Sequence, residues 1–323
     1  MKIIYNLAFL LLFLYPFASP ITDSQQKFIK CKAGPVNIVF KSANGGQTWQ
    51  DISQGLPENW QGGYFYANES GLYVTAGNWI CHSKPNSSAP FWEKKMFPLE
   101  HNNTAPRKNE IFKTASGTSL IGSYQGLFKS TNNGKSWKQV HDGGWVGKVV
   151  ELNGVLVATS QGGILRSTND GDTWDWVISE GGVGIAIECI KGGFAAITYN
   201  TTSKTRRVRT SYDGGKTWQP IDAGLQTQDV VNSMWRPINT SFSVQGSTDS
   251  VQHAVNTDLP EQAFISSIIQ VGEDFFCGHP KGIFKSSDKG KTWKLILPSI
   301  EGKVFYLYGS GNVIYAIPSS GGC

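Results

Sequence analysis

The chain has 323 residues, enough for one large domain or two medium ones that bury most of their apolar surface. Its 37 Gly and 11 Trp, with only 16% charged residues, indicate many turns and aromatic packing, as in all-β proteins. The net charge of +5 is small and no run of Lys or Arg stands out. The composition therefore gives no electrostatic reason to expect a nucleic-acid partner.

The first residues have the pattern of a secretory signal peptide. Lys2 precedes an apolar stretch, and the small residues of "PFASP" follow it. We predict a signal peptide over residues 1–22 and a mature domain over 23–323. The alternative is an uncleaved anchor, but the stretch is short for a membrane span and Asn6 interrupts it. We therefore expect a secreted or extracellular protein, periplasmic or on the cell surface if bacterial, without a span after cleavage.

An eight-residue phrase, Ser-x-Asn/Asp-x-Gly-x-Ser/Thr-Trp, recurs five times, from "SANGGQTW" at 42–49 to "SSDKGKTW" at 286–293. A worn sixth copy ends at Trp92. The positions expected to shape the repeated structure are Ser42, Asn44, Gly46, Trp49, Asn132, Gly134, Trp137, Asn169, Gly171, Trp174, Asp213, Gly215, Trp218, Asp288, Gly290 and Trp293.

Each phrase is flanked by strand-like segments, such as "GILR" before it and "WDWV" after it, so it predicts a hairpin turn. Asn or Asp accepts backbone hydrogen bonds there, and Gly supplies a positive φ. The Trp begins the outgoing strand and can pack between units. Two more strands precede each phrase, and four antiparallel strands in about 40 residues form one propeller blade.

The phrase resembles the Asp-box, or bacterial neuraminidase repeat, of sialidases, sortilin-type receptors, xyloglucanases and photosystem II assembly propellers. The resemblance covers nearly the whole mature chain, and it is specific for fold but not for function. It implies an all-β six-bladed β-propeller of four-stranded antiparallel blades in the sialidase-like superfamily.

The spacing of the phrase predicts how the ring closes. Two strands follow Trp293 and one strand precedes the first phrase, so the two chain ends together complete one mixed blade. The interval from Trp218 to Trp293 is nearly twice the others, and removing residues 226–259 restores a normal blade. We therefore predict a loop insertion there rather than a seventh blade, and its role, as a lid or an unstructured loop, stays open.

The predicted ring closure also suggests how two of the five cysteines pair. Cys31 precedes the first strand and Cys323 follows the last, so we predict a disulfide between them; the alternative is a free C-terminal thiol. The other three cysteines lie in strand-like segments, and we expect them to be buried thiols: Cys81, Cys189 and Cys277.

The resemblance implies that a ligand binds on the face opposite the phrase. Exposed Trp and Tyr beside polar groups can stack on a sugar ring or grip a peptide, although each can also pack between blades. The predicted ligand-binding residues are Trp60, Trp79, Tyr124, Trp145, His279 and Lys281. The same loops also carry His101, His141, Glu180, Arg206 and Arg207.

Catalysis of the sialidase kind requires three arginines around a carboxylate, a Tyr–Glu nucleophile pair and an Asp acid/base. The chain has six arginines and lacks the N-terminal Arg motif of sialidases. The weak catalytic candidates are Glu180, Tyr306 and Arg206. Arg166 occupies the slot before the phrase that lysines fill elsewhere, so we expect it to be structural. Another glycosidase would need two carboxylates, from Glu58, Glu100, Asp142, Glu180 and Asp222.

The sequence favours a monomeric propeller that binds a glycan or an extracellular protein through its loops without catalysis. A sialidase-like or other glycoside hydrolase is the alternative. No motif for a metal or a cofactor is present, and none is expected.

Overall fold

The structure is a computed structural model that describes residues 37–57, 65–76, 79–96, 111–179, 182–225 and 264–319. The predicted signal peptide, the Cys31–Cys323 disulfide and the 226–259 insertion lie outside these residues and stay predictions. No helix among the described residues is long and apolar enough to cross a membrane.

The described chain is built from strands, with one short 3-10 helix at Ala223–Leu225. In chain order the strands are β1 (Phe40–Ser42), β2 (Gln50–Asp51), β3 (Phe65–Asn68), β4 (Gly71–Ala76), β5 (Trp79–Ser83), β6 (Glu93–Met96), β7 (Ile111–Lys113), β8 (Ser119–Ser123), β9 (Gly126–Ser130), β10 (Lys138–His141), β11 (Val146–Leu152), β12 (Val155–Ser160), β13 (Gly163–Ser167), β14 (Asp175–Ile178), β15 (Gly182–Ile190), β16 (Gly193–Asn200), β17 (Thr205–Ser211), β18 (Gln219–Pro220), β19 (Ser267–Val271), β20 (Asp274–His279), β21 (Gly282–Ser286), β22 (Lys294–Pro298), β23 (Val304–Ser310) and β24 (Val313–Ser319).

These strands form six four-stranded antiparallel sheets, which confirms the predicted six-bladed propeller. Blades 1 to 5 are β3–β6, β7–β10, β11–β14, β15–β18 and β19–β22. The sixth, here called the mixed blade, has the order β2-β1-β24-β23, so it combines both ends of the chain. Its central register pairs Phe40 with Ala316 and Lys41 with Tyr315. The predicted closure by pairing of N- and C-terminal strands is therefore confirmed.

The repeated phrase forms the predicted hairpin turn, called the box below. In the first box the Ser42 hydroxyl accepts a hydrogen bond from the Gly46 N–H at 2.9 Å, and Asn44 Oδ1 accepts one from the Thr48 N–H at 3.0 Å. Gly46 has a φ of +80°, which favours glycine. The same Ser-to-Gly bond recurs in the other four boxes. Side-chain hydrogen bonds thus satisfy the backbone of a turn that local sequence specifies.

The residue before each box serine is often a cation that contacts the next blade. Arg166 Nε of blade 3 donates to the Gly214 carbonyl in the box of blade 4 at 2.7 Å, which confirms its predicted structural role. Lys129 of blade 2 contacts Asp172 in the box of blade 3 at 2.8 Å. Equivalent contacts join Lys41 to the Ser87 carbonyl and Lys285 to the Gly45 carbonyl. These cations therefore fasten neighbouring blades together on the box side.

Apolar packing joins most blades in pairs. Five hydrophobic clusters link the mixed blade to blade 1, blade 2 to 3, 3 to 4, 4 to 5, and blade 5 to the mixed blade. Among the residues that the structure describes, none of these clusters joins blades 1 and 2, whose connection lies in the undescribed 97–110.

The prediction that three cysteines are buried thiols is right for two and wrong for the third. Cys81 and Cys277 are buried, but Cys189 is exposed. It lies on β15, the first strand of its blade, where alternate side chains leave the core.

Candidate functional site

The box turns lie at one end of the blades, and the hairpin turns that join the second strand of a blade to the third lie at the other end. This second end, called the top face, includes the turns at 124–125, 161–162, 201–204 and 280–281 and the loop at 142–145. Because loops on one face of a rigid propeller come together, this face is where predicted binding residues should be sought.

Three of the predicted ligand-binding aromatics lie in the described part of this face. Tyr124 is 88% exposed in its hairpin turn, and Trp79 is 39% exposed at the start of β5. Trp145 is half-buried, and its carbonyl accepts a hydrogen bond from the Gln161 N–H at 2.8 Å. Lys281 is half-buried in its turn, and Trp60 lies outside the described residues. Among the predicted ligand-binding residues that the structure describes, Tyr124 is thus the most accessible.

His279 is one of the predicted ligand-binding residues, but it is buried, with only 1% of its surface exposed. The ring packs edge-on against Phe284 at 5.0 Å, and Nδ1 accepts a hydrogen bond from the Lys281 N–H at 3.1 Å. Burial, and then the Lys281 charge, lower the pKa of His279 to about 4, although the Leu225 backbone opposes this shift. The imidazole is therefore neutral at pH 7 and turned inward, away from a ligand on the surface.

Arg206, a weak catalytic candidate, is held by the neighbouring blade. Its Nη1 donates to the Ile265 carbonyl at 2.7 Å, and its guanidinium carbon lies 3.8 Å from the centre of the Phe264 ring. Tyr306 is half-buried on β23, and Glu180 lies outside the described residues, so their pairing stays a prediction.

Arg207, whose side chain is 37% exposed, forms a structural ion pair with the buried Asp222. Arg207 Nε and Nη2 donate to the Asp222 carboxylate at 2.9 and 3.0 Å, and the Val208 N–H donates to the same group at 3.0 Å. Asp222 is fully buried, so it is unsuited to act on a bound glycan. Of the other predicted carboxylates, Asp142 is exposed and the remaining three lie outside the described residues.

The four described arginines all have structural partners: Arg166, Arg206, Arg207 and Arg209, whose side chain is buried and reaches Thr198. Arg107 and Arg236 lie outside the described residues. A clasp of three arginines would therefore have to take at least one guanidinium from its present partner.

Trp176 is not among the residues predicted from the sequence; it lies on β14 and is 41% exposed. Its indole stands edge-on to the His141 ring, with ring centroids 5.4 Å apart at an angle of 77°. It also lies against Gly162 of the 161–162 turn, where an added Cβ would come within 2.6 Å of the indole. The tryptophan therefore sits at the top of the junction between blades 2 and 3.

The chain resembles known proteins at two levels. A model of the BNR/Asp-box repeat matches residues 209–220, which contain the box of blade 4. Together with the six sheets and five boxes, this match identifies the chain as a β-propeller built on Asp-box repeats. No curated protein matches the chain.

Several solved structures are similar at low identity. An ancestral GH74 enzyme has 18% identity and a TM-score of 0.39, covering 63% of this chain and 28% of that enzyme. The extracellular domain described as part of a hybrid two-component system of B. thetaiotaomicron has 10% identity and a TM-score of 0.43, covering 77% and 29%. The Hadza microbial sialidase Hz136 has 15% identity and a TM-score of 0.33, covering 81% and 62%. The chain spans less than a third of the first two.

Proposed function

We propose that this protein is a secreted Asp-box propeller that binds an extracellular glycan or protein through its top face, without catalysis. The observation that carries the proposal is the set of accessible aromatic rings there, above all Tyr124 and Trp176. Exposed aromatics on a rigid scaffold provide contact area for a ligand at little loss of side-chain entropy. Export through the predicted signal peptide is part of this proposal.

The structural contacts made by the described arginines support a binding function over sialidase chemistry. A sialic acid carboxylate needs bidentate guanidinium partners, and four of the six arginines of this chain already make structural contacts. The buried Asp222 is likewise occupied by Arg207.

A glycoside hydrolase acting on extracellular glycans is the second candidate. It is supported by the box, which sialidases share, and by the exposed Asp142 carboxylate on the top face. Two carboxylates at a suitable separation would suffice for hydrolysis. A partner for Asp142 would have to come from Glu58, Glu100 or Glu180.

One experiment separates the two. The full chain is incubated with sialosides, a neutral polysaccharide panel and a panel of extracellular proteins, and both release of sugar and binding are measured. We expect binding without release, weakened by Trp145→Ala or Tyr124→Ala and unchanged by Tyr212→Ala, an exposed aromatic in the box of blade 4. Turnover that is lost in Glu180→Gln or Arg206→Lys would instead establish the hydrolase.

A further inference from the structure

The repeats of this chain serve as controls for one another. The register places Trp176 opposite Leu165, Leu295 opposite Phe284 and Gln139 opposite Phe128, so these three outer-strand positions are equivalent. The fold accepts a leucine and a glutamine there, and neither turn chemistry nor packing demands an indole. An exposed Trp that only one of these blades carries therefore calls for a reason other than folding.

His141, whose ring contacts Trp176, also differs in residue type from the equivalent positions of other blades. His141 pairs with Leu127, as Ile178 pairs with Ile164 and Leu297 with Ile283. The equivalents Ile178 and Leu297 are buried aliphatic side chains, whereas blade 2 places an imidazole there. Two departures from the repeat thus contact each other, with ring centroids 5.4 Å apart.

The indole is held in one orientation. Its Cη2 edge lies over Gly162, and an added Cβ at Gly143 would approach Cζ2 to 3.4 Å. The Gly143 Cβ would also come within 2.5 Å of His141 Nε2, so these glycines allow the loop and the turn to close around both rings. With 41% of the side chain still exposed, Trp176 offers a fixed aromatic surface. A ring that is already ordered loses little entropy when a ligand stacks on it.

The surroundings favour an uncharged ligand. The Asp142 carboxylate is exposed in the adjoining loop, and the Gln161 amide lies in the adjoining turn. Burial lowers the pKa of His141, opposed by Asp142, so the imidazole adds no cation at pH 7. Asp142 would repel an acidic sugar, whereas a carboxylate and an amide can bind the hydroxyl groups of a neutral one.

We propose that Trp176, oriented by His141 and flanked by Asp142 and Gln161, is the stacking platform for a ring of a neutral saccharide. The inference rests on the proposed binding function and deepens it, because it names the ligand class and places it at the rim between blades 2 and 3. A saccharide suits this platform because its ring can stack on the exposed indole while its hydroxyl groups reach the Asp142 carboxylate and the Gln161 amide.

The test is calorimetric titration of the full chain with cellohexaose, xylohexaose, mannohexaose and sialyllactose. We expect at least one neutral hexasaccharide to bind and Trp176→Ala to weaken it about tenfold, which corresponds to ~1.4 kcal/mol. Two variants are matched controls and should leave affinity unchanged: Leu295→Ala, 38% exposed at the equivalent position of blade 5, and Tyr212→Ala, 50% exposed on the box side. Thermal unfolding of each variant checks that the fold is kept.

Three results would overturn the inference. They are binding of sialyllactose alone, no binding of the neutral probes at about 1 mM, where even weak sites fill, and equal affinity of Trp176→Ala and wild type. In the last case, loss of binding in Tyr124→Ala or Trp145→Ala would leave top-face recognition standing, so the two proposals fail separately. A His141→Phe variant that keeps affinity while His141→Ala loses it would support the positioning role of His141.

Discussion

Closure of the ring brings together two phenylalanines from opposite ends of the chain. Phe40 lies on β1 and Phe305 on β23, both are fully buried, and their ring centroids are 6.0 Å apart at 85°. This edge-to-face arrangement is one that aromatic pairs prefer. Energetic coupling between these residues therefore reports whether the mixed blade forms in solution.

The expected size of the coupling follows from this geometry. Each Phe→Leu substitution should destabilise the protein by about 1–2 kcal/mol, as is usual for a conservative core change. An edge-to-face pair contributes about 0.5–1.5 kcal/mol beyond its buried area, and the first substitution already removes that contribution. The double variant of Phe40 and Phe305 should thus be less destabilised than the two single variants added together, by about 1 kcal/mol.

The assay is urea unfolding followed by tryptophan fluorescence, with a shared slope for all variants. The matched control is Phe194→Leu combined with Phe305→Leu, because Phe194 is also fully buried but belongs to the cluster between blades 3 and 4. That pair should be additive within about 0.5 kcal/mol. If the Phe40 and Phe305 substitutions are equally additive, the two chain ends do not pack together and the closure is refuted.

Three further outcomes are expected. Arg207→Met leaves the buried Asp222 carboxylate without its bidentate partner and should cost about 3 kcal/mol in urea unfolding. Lys129→Met removes a contact between blades 2 and 3 and should cost about 1.5–3 kcal/mol. Burial raises the pKa of Asp170, but hydrogen bonds from hydroxyl groups and the charge of Lys129 outweigh burial and lower that pKa overall. The loss in free energy of unfolding caused by Lys129→Met should therefore become smaller below about pH 4, where Asp170 begins to be protonated. His279→Asn should flatten the pH dependence of stability between about pH 6.5 and 4. In this range the His279 side chain is protonated in the unfolded wild type but stays neutral in the folded protein. The free energy of unfolding of the wild type therefore falls by up to ~3 kcal/mol at the acid end of the range.

Each of these outcomes has a clear contradiction. An unchanged urea midpoint for Arg207→Met would mean that the ion pair is absent in solution. Lys135→Met, an exposed lysine in the box of blade 2, is the control for Lys129→Met, and equal effects of the two would contradict the inter-blade contact. His82→Asn is the control for His279→Asn. If the stability of His279→Asn and of the wild type changes with pH in parallel, the buried His279 ring does not cause the pH dependence of stability.

The architecture was predictable because it rests on local chemistry repeated at regular intervals. The Ser-to-Gly hydrogen bond and the positive φ of Gly46 depend on residues within one turn, so the phrase alone specifies them. Counting the phrases then predicted six blades, and the unequal chain ends predicted the mixed blade. The structural role of Arg166 was also accessible, because lysines occupy its slot in other blades.

The candidate site was less predictable because orientation depends on neighbouring blades. His279 is the last residue of β20, at the register position of Ser123 and not of the turn residue Tyr124, and its ring turns inward onto Phe284. Trp176 was passed over because its segment "WDWV" matches the generic outgoing strand. Its orientation depends on contacts with Gly162, in a turn of its own blade, and with His141 of blade 2, which the strand pattern alone does not reveal.

A propeller made of repeats shows which residues the fold itself requires, because those residues recur. The box serines and the cations before them recur: each serine accepts a hydrogen bond from the glycine of its own box, and the cations contact the next blade. Trp92 is also structural, since it is buried and donates to the Ile52 carbonyl at 2.6 Å in the place of a box tryptophan. His141 and Trp176 match neither pattern, and they contact each other at an exposed rim. Since selection for folding does not explain such paired departures, ligand recognition is best sought where they meet.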